Sequence, residues 1–301
     1  MTLLIVILIL ILLALLVILY LAASYLFRFT FRRAEAGGDW GNKPTDPADV
    51  AFSVDPNREP LEITSDDGLR LRAWFYDRGS ETTVLFCHGY KGGPEELAPI
   101  ARVLCEKGYN AMMICQRACS DSEGEFFTMG VRERRDLLKW IDKLNERKPG
   151  GKIVLFGWSM GASTVMGALG ETLPENVRCA VCDCGYENLF IQLEDTARIL
   201  MPKLPCIPFF TGLLDLYCRL FKGFSVRFSF GESLAKCRIP VLFVHGAKDQ
   251  LVPYENLDRC YAACASQKLR SSYAAALHTD CHMSEPERYF GELEGFLRAS
   301  I

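Results

Sequence analysis

The stretch Ile153-Val154-Leu155-Phe156-Gly157-Trp158-Ser159-Met160-Gly161-Ala162-Ser163-Thr164-Val165 decides the fold. Its first four residues form a short apolar run suited to a buried strand. Small and apolar residues then continue to about Leu169 at a spacing that suits a helix. Between the two stand Gly157 and Gly161, two residues before and two after Ser159. A strand that turns sharply into a helix strains its middle residue and pushes that side chain out of the turn. Flanking glycines permit the close backbone approach such a turn demands. Ser159 is therefore expected at a helix N-terminus, where free N–H groups and the helix dipole favour developing negative charge. A bare Gly-x-Ser-x-Gly also arises by chance in glycine-rich turns. Strand before and helix after make Ser159 a candidate nucleophile.

Around this centre lie 301 residues, half of them apolar and 24% charged, enough for one large α/β domain plus an appendage. A net charge of −3, with 34 scattered Lys and Arg, leaves no basic footprint for nucleic acid. Of thirteen cysteines, Cys87, Cys115, Cys179 and Cys182 fall in strand-like or core runs, where a thiol behaves as a small hydrophobe. Cys179, Cys182 and Cys184 invite a metal reading, but strand neighbours alternate faces and no second ligand cluster follows. Free thiols in this number fit a reducing compartment.

Residues 2–27 carry no charge and are almost wholly Leu, Ile, Val, Ala and Phe. As a helix they would extend about 39 Å, enough to cross a bilayer with some tilt. The run is too long for a signal-peptide core and lacks a basic segment before it, so it is expected to remain as a transmembrane anchor. Arg28, Arg32 and Arg33 follow it, and the positive-inside rule puts them and the rest of the chain in the cytoplasm. Removing residues 1–33 is expected to leave a soluble, active domain.

Residues 28–60, with Gly37-Gly38-Asp39, Pro44, Asp46-Pro47, Pro56 and Pro60, read as a linker or irregular wrap. From residue 61 to 301 the pattern is regular. Strands over 61–64 and 69–76 flank Asp66-Asp67-Gly68, a hairpin signal. Strands at 83–87 and 111–115 alternate with helices at 95–107 and 131–145, and a strand at 177–182 follows the Ser159 helix. Strand, helix, strand and helix at 241–244, 254–265, 271–276 and 286–298 complete the order. This predicts an α/β fold, a mostly parallel doubly wound sheet with helices on both faces. Residues 185–236 break the alternation. Rich in apolar residues (Phe190, Leu200, Leu204, Phe209 and Phe210 among them) and interrupted by Pro202, Pro205 and Pro208, they are too long for a plain loop. They read as an inserted helical cap that partly lines a pocket.

Three segments fit the Ser159 turn. Cys87-His88-Gly89-Tyr90-Lys91-Gly92-Gly93 lies between strand and helix, where a backbone N–H can join that of Met160 to receive an oxyanion. Asp249 comes just past the strand at 241–244. His278 follows the apolar run 273–277, read as the end of the last strand. Asp183, also past a strand, is the runner-up acid. His88 reads as a loop histidine, His245 as satisfying backbone near its strand end, and His282 as solvent-facing.

The order Ser159…Asp249…His278, with His88-Gly89-Tyr90, Ser122-Glu123-Gly124, Thr128-Met129-Gly130, His245-Gly246 and Val252-Pro253, strongly resembles the α/β-hydrolase superfamily over about residues 60–300. It resembles in particular bacterial membrane-anchored serine hydrolases of unassigned substrate. Two departures stand out: Gln116-Arg117-Ala118-Cys119-Ser120 replaces the usual Asp-x-Arg-x-x-Gly, and Cys281 replaces a frequent serine. The resemblance implies an α/β-hydrolase-type fold with a cap insertion and a Ser159–His278–Asp249 triad. It also implies an oxyanion hole from the N–H groups of Tyr90 and Met160, and no metal or organic cofactor. The expected partners are a small-molecule ester or lipophilic acyl substrate and a lipid bilayer, met through residues 2–27. An amide or short peptide is the second bond class, and a catalytically lapsed, membrane-tethered binding protein is the other reading.

Overall fold

The computed structural model describes residues 2–33, 43–203 and 205–301; Gly37-Gly38-Asp39 of the expected linker and Leu204 of the expected cap lie outside these. Eight strands form one sheet in the order β1-β2-β4-β3-β5-β6-β7-β8. They are β1 (Glu59–Thr64), β2 (Arg70–Tyr76), β3 (Thr82–Cys87), β4 (Asn110–Ile114), β5 (Lys152–Trp158), β6 (Val177–Asp183), β7 (Val241–Gly246) and β8 (Lys268–Tyr273). The β1–β2 and β2–β4 pairings are antiparallel and the remainder parallel. Strands β3, β5 and β7 are buried along almost their whole length, which is why each reads as a continuous apolar run rather than an alternating one.

Helices cover both faces. On one side α3 (Ala98–Glu106) and α11 (Pro286–Ser300) bury Ile100, Leu104, Leu293 and Phe296 against Val84, Phe86 and Phe156. On the other, α4 (Glu133–Arg147), α5 (Met160–Ala168) and α9 (Glu255–Ala263) pack on Leu85, Leu155 and Phe243. Cys179 and Cys182 belong to opposite layers and do not converge. Burial of most thiols is complete or nearly so, and all thirteen cysteines are free.

Three expectations are corrected. The last strand is Lys268–Tyr273, not 271–276, because Ala274–Leu277 forms a turn beyond the sheet. As an edge strand with a half-exposed face, β8 is mostly polar, and the apolar run after it faces elsewhere. Residues 28–31 are not linker: helix α1 runs Thr2–Phe31, and Arg32 bridges Phe126 as an isolated antiparallel pair. Residues 43–60 also hold α2 (Pro47–Ser53), N-capped by Asp46, whose Asp49 meets Arg102 at 2.6 Å.

Helix α1 is the one helix among the described residues long and apolar enough to cross a membrane. Its side chains are mostly exposed to residue 22, but Ala23, Phe27 and Phe31 are buried in the main core. Phe31 packs edge-on to Phe224 at 5.4 Å and Phe27 on Phe126 at 5.3 Å. Cutting at residue 33 would therefore strip apolar surface from the domain, against the expectation that the anchor contributes nothing to it.

Residues 185–236 carry α6 (Leu189–Leu200), α7 (Ile207–Tyr217), a π-turn (Cys218–Lys222) and α8 (Phe230–Leu234). Asn188 and Ser229 cap α6 and α8 by accepting from backbone N–H groups.

Candidate active site

The chain leaves β3 toward β4 on one side, and β5 lies on its other side, so the loops after β3 and β5 meet where the sheet's winding reverses. Ser159 lies between β5 and α5 with φ of 55° and ψ of −118°, a conformation side chains rarely adopt. The surrounding packing enforces it. A Cβ at Gly161 would stand 2.0 Å from the Cys87 carbonyl oxygen, and one at Gly157 2.3 Å from the Gly161 oxygen. Both glycines are thus required by close backbone approach. The same approach brings the His88–Tyr90 loop against Ser159.

His278 Nε2 lies 2.8 Å from Ser159 Oγ, and His278 Nδ1 lies 2.6 Å from Asp249 Oδ2. Asp249 follows β7 and is anchored by the N–H groups of Leu251 and Val252, both donating to Oδ1 at 2.9 Å. His245 Nε2 stands 3.2 Å from Asp249 Oδ2 and 3.0 Å from the Val252 oxygen, so it serves the carboxylate as well as backbone. Burial alone would raise the Asp249 carboxyl. Hydrogen bonds from His245 and His278 outweigh it and hold the group well below the usual carboxylate range. Burial likewise disfavours the His278 cation, yet the Asp249 carboxylate and the neighbouring Cys184 raise its pKa to about 9.

Asp183 is not in this chain of contacts. Its Oδ2 accepts from the Tyr289 hydroxyl at 2.8 Å, and burial raises its pKa. His282 departs from expectation: it is buried, not solvent-facing, with its ring edge-on to Trp158 at 5.3 Å. His88 is fully buried, with its pKa lowered to about 4 by burial. Its Nε2 accepts from the Gln116 N–H at 3.0 Å, which makes Nδ1 the protonated nitrogen, donating to the Gly89 oxygen at 2.9 Å.

Two contributors escaped the sequence reading. Gln116 Nε2 donates to the His88 oxygen at 2.6 Å, while Gln116 Oε1 accepts from Thr164 Oγ1 of α5 at 3.0 Å. One amide thereby ties the loop after β3 to the helix that carries Ser159. Glu96 Oε2 accepts from the Gly89 N–H at 3.1 Å, fixing the same loop from α3's side. The only signal in the sequence was the departure at Gln116 from the usual Asp-x-Arg.

Cys184 is a third addition. One ligand atom each from Cys184, Asp249 and His278 lies within 4.8 Å of the others, as do those of Asp183, Cys184 and Cys281. These are the groupings among the described residues with donors close enough for an ion, but burial pushes the Cys184 thiol far above its ordinary pKa, away from the ligating thiolate.

Above Ser159 opens a cavity of about 520 Å³. Ser159, Met160, Tyr90 and His278 line its floor, and Leu193, Leu200, Ile207, Phe210 and Leu214 of α6 and α7 its roof. Glu96 is the one carboxylate among the described residues that border it.

Residues 82–206 match the family model described as alpha/beta hydrolase fold. The chain has the α/β-hydrolase fold. Its sheet order, mostly parallel pairing and elbow-like Ser159 turn are those of that fold. Over 77% of this chain and 76% of its own length, the Alpha/beta hydrolase domain-containing protein WAV2 of Arabidopsis thaliana is 28% identical. Among solved structures, the Pyrococcus furiosus esterase Pf2001 superposes with a TM-score of 0.70 at 24% identity, covering 90% of this chain and 98% of the esterase. A putative aryl esterase from Burkholderia cenocepacia gives 0.58 at 20% identity, covering 80% and 99%. Both esterases share the fold of this chain.

Proposed function

We propose that this α/β hydrolase is a membrane-anchored serine hydrolase that cleaves a carboxylic ester through an acyl-enzyme. The observation that carries the reading is the unbroken contact chain from Ser159 Oγ through both nitrogens of His278 to Asp249, at the floor of an apolar cavity. His278 Nε2 takes the Ser159 proton as Oγ attacks the acyl carbon, and Asp249 holds the imidazole and stabilises its cation. The N–H groups of Met160, at the start of α5, and of Tyr90 receive the oxyanion. Collapse expels the alcohol with the proton from His278. Water, deprotonated by the same nitrogen, then cleaves the acyl-enzyme, releasing the acid and restoring Ser159.

An ester of a lipophilic acid suits the site better than a peptide, since the described residues of its walls present mostly hydrocarbon, with Glu96 the one carboxylate among them. A fluorophosphonate probe tests the chemistry. It is expected to label the full chain on Ser159, and Ser159→Ala to abolish both labelling and turnover with little change in melting. Labelling that persists in this variant refutes the mechanism.

The bilayer partner is assigned to residues 2–27, with the domain on the cytoplasmic side that Arg28, Arg32 and Arg33 favour. Protease added to intact cells is then expected to spare residues 43–301, and to digest them only after lysis. Digestion in intact cells would reverse the orientation.

A further inference from the structure

The cavity's wall is completed by the apolar helix itself. Leu26, Phe29 and Thr30 of α1 line the same space as Ser159 and His278. The end of α1 is fastened to the loop after β3: the Tyr90 hydroxyl donates to the Thr30 oxygen at 2.7 Å, and Lys91 Nζ to the Phe29 oxygen at 3.3 Å. Its preceding turns are fastened to the cap. The Tyr217 hydroxyl lies 3.5 Å from Ser24 Oγ, and the Tyr20 ring packs on Phe221 at 5.4 Å and Tyr217 at 5.8 Å.

These contacts set the depth of the cap. Residues 2–22 extend about 31 Å, the thickness of a bilayer's hydrocarbon core. Tyr20 belongs to the last turn of that exposed span, and it touches the π-turn of the cap. The cap's outer surface next to it is apolar: Leu216, Leu220 and Phe221 are exposed, as are Ile199, Leu200, Met201 and Phe209 around the junction of α6 and α7, with Leu220 at 66%. Lys203, two residues after Met201, and Arg219, next to Leu220, are also exposed, a mixture suited to acyl chains bordered by anionic headgroups. Leu200 and Met201 belong both to this outer surface and to the cavity lining. Leu200 and Met201 thereby join the apolar outer surface of the cap to the cavity over Ser159.

We infer that the cap edge rests on the bilayer and that the cavity is loaded from it, so that the substrate is a long-chain acyl ester whose chain enters along α1. This rests on the hydrolase reading above. The anchor is then a wall and an entry guide for the acyl chain as well as a tether, since a chain leaving the bilayer beside residues 20–30 exchanges one hydrocarbon surface for another.

The test uses the full chain reconstituted in vesicles of phosphatidylcholine and phosphatidylglycerol, with two fluorogenic esters: a water-soluble butyrate and a bilayer-dissolved oleate. The variant is Phe209→Asp with Leu220→Asp, two exposed positions outside the cavity lining. The unsubstituted chain is expected to turn over both esters. The double variant, still tethered, is expected to lose about tenfold or more on the oleate and to retain the butyrate rate. Equal rates on oleate overturn the inference. Equal losses on both esters also overturn it, because these side chains would then serve the fold rather than loading. A chain that hydrolyses butyrate but not oleate overturns it too, and leaves the hydrolase reading standing. A chain inert to both esters and to the fluorophosphonate probe removes the hydrolase reading and this inference with it.

Discussion

His278→Ala lowers turnover by about 10⁴-fold to 10⁶-fold, while His282→Ala leaves turnover close to that of the unsubstituted chain; parallel steady-state assays check both. His278 reaches Ser159 Oγ at 2.8 Å and Asp249 at 2.6 Å, so its loss removes the proton acceptor and the orienting contact together. His282 has no such contact. It fills space against Trp158 and Tyr289, and its Nδ1 has no hydrogen-bond partner. Truncating it leaves a cavity, and the expected cost is about 2 kcal/mol of stability, read as a lowered melting temperature. A dead His282→Ala enzyme that melts normally would refute the assignment.

Asp249→Asn is expected to cost about 10⁴-fold in turnover, far more than Asp183→Asn. An amide at 249 presents a donor as well as an acceptor. His278 can then turn to the tautomer whose Nε2 bears the proton and cannot accept from Ser159. Asp183 accepts from Tyr289, a bond an asparagine oxygen can retain, and makes no hydrogen bond to His278 among the described residues. The pH dependence supplies a second readout. His278 must be neutral to act as base, and its pKa is raised from 6.5 to about 9, so kcat/KM should climb as pH rises through that interval. In Asp249→Asn the residual activity should reach its plateau at lower pH, because the carboxylate that favours the imidazolium is gone. The stability linkage has the opposite sense. A raised histidine pKa stabilises the fold fully below 6.5, and this contribution fades as pH rises through about 9. A plateau already complete at pH 6.5 in the unsubstituted chain would contradict the raised value.

Strand-to-helix turns are local events, and the local record of this one is plain. The apolar run of β5, the small residues of α5 and the glycines around Ser159 report sterics that operate within ten residues. The alternation of strand and helix leaves a similarly legible trace, because each element must bury its own apolar face. The 185–236 insertion was visible for the opposite reason: no strand pattern occupied it.

The choice between Asp249 and Asp183 was open in sequence, since both follow a parallel strand. The turns after β7 and β8 bring Asp249 rather than Asp183 against His278, a relation between residues 29 positions apart. The β8 boundary misled because residues 273–277 carry the apolar signature of a strand, yet β8 ends at Tyr273, and beyond it Ala276 is buried while Ala274, Ala275 and Leu277 are exposed.

The end of α1 is the clearest case. Leu26, Phe27 and Phe31 look like any other residues of a membrane span, since lipid and protein interior select the same side chains. By itself the sequence determined a long apolar helix, a parallel α/β sheet, a serine on a strained turn and a histidine and carboxylate in order behind it. Only the tertiary structure decided that the last turns of this helix are buried in the core of the α/β domain. These turns are held by Tyr90, Lys91 and Tyr217, sixty to nearly two hundred residues away, and contacts at that range leave no periodic mark in a single chain.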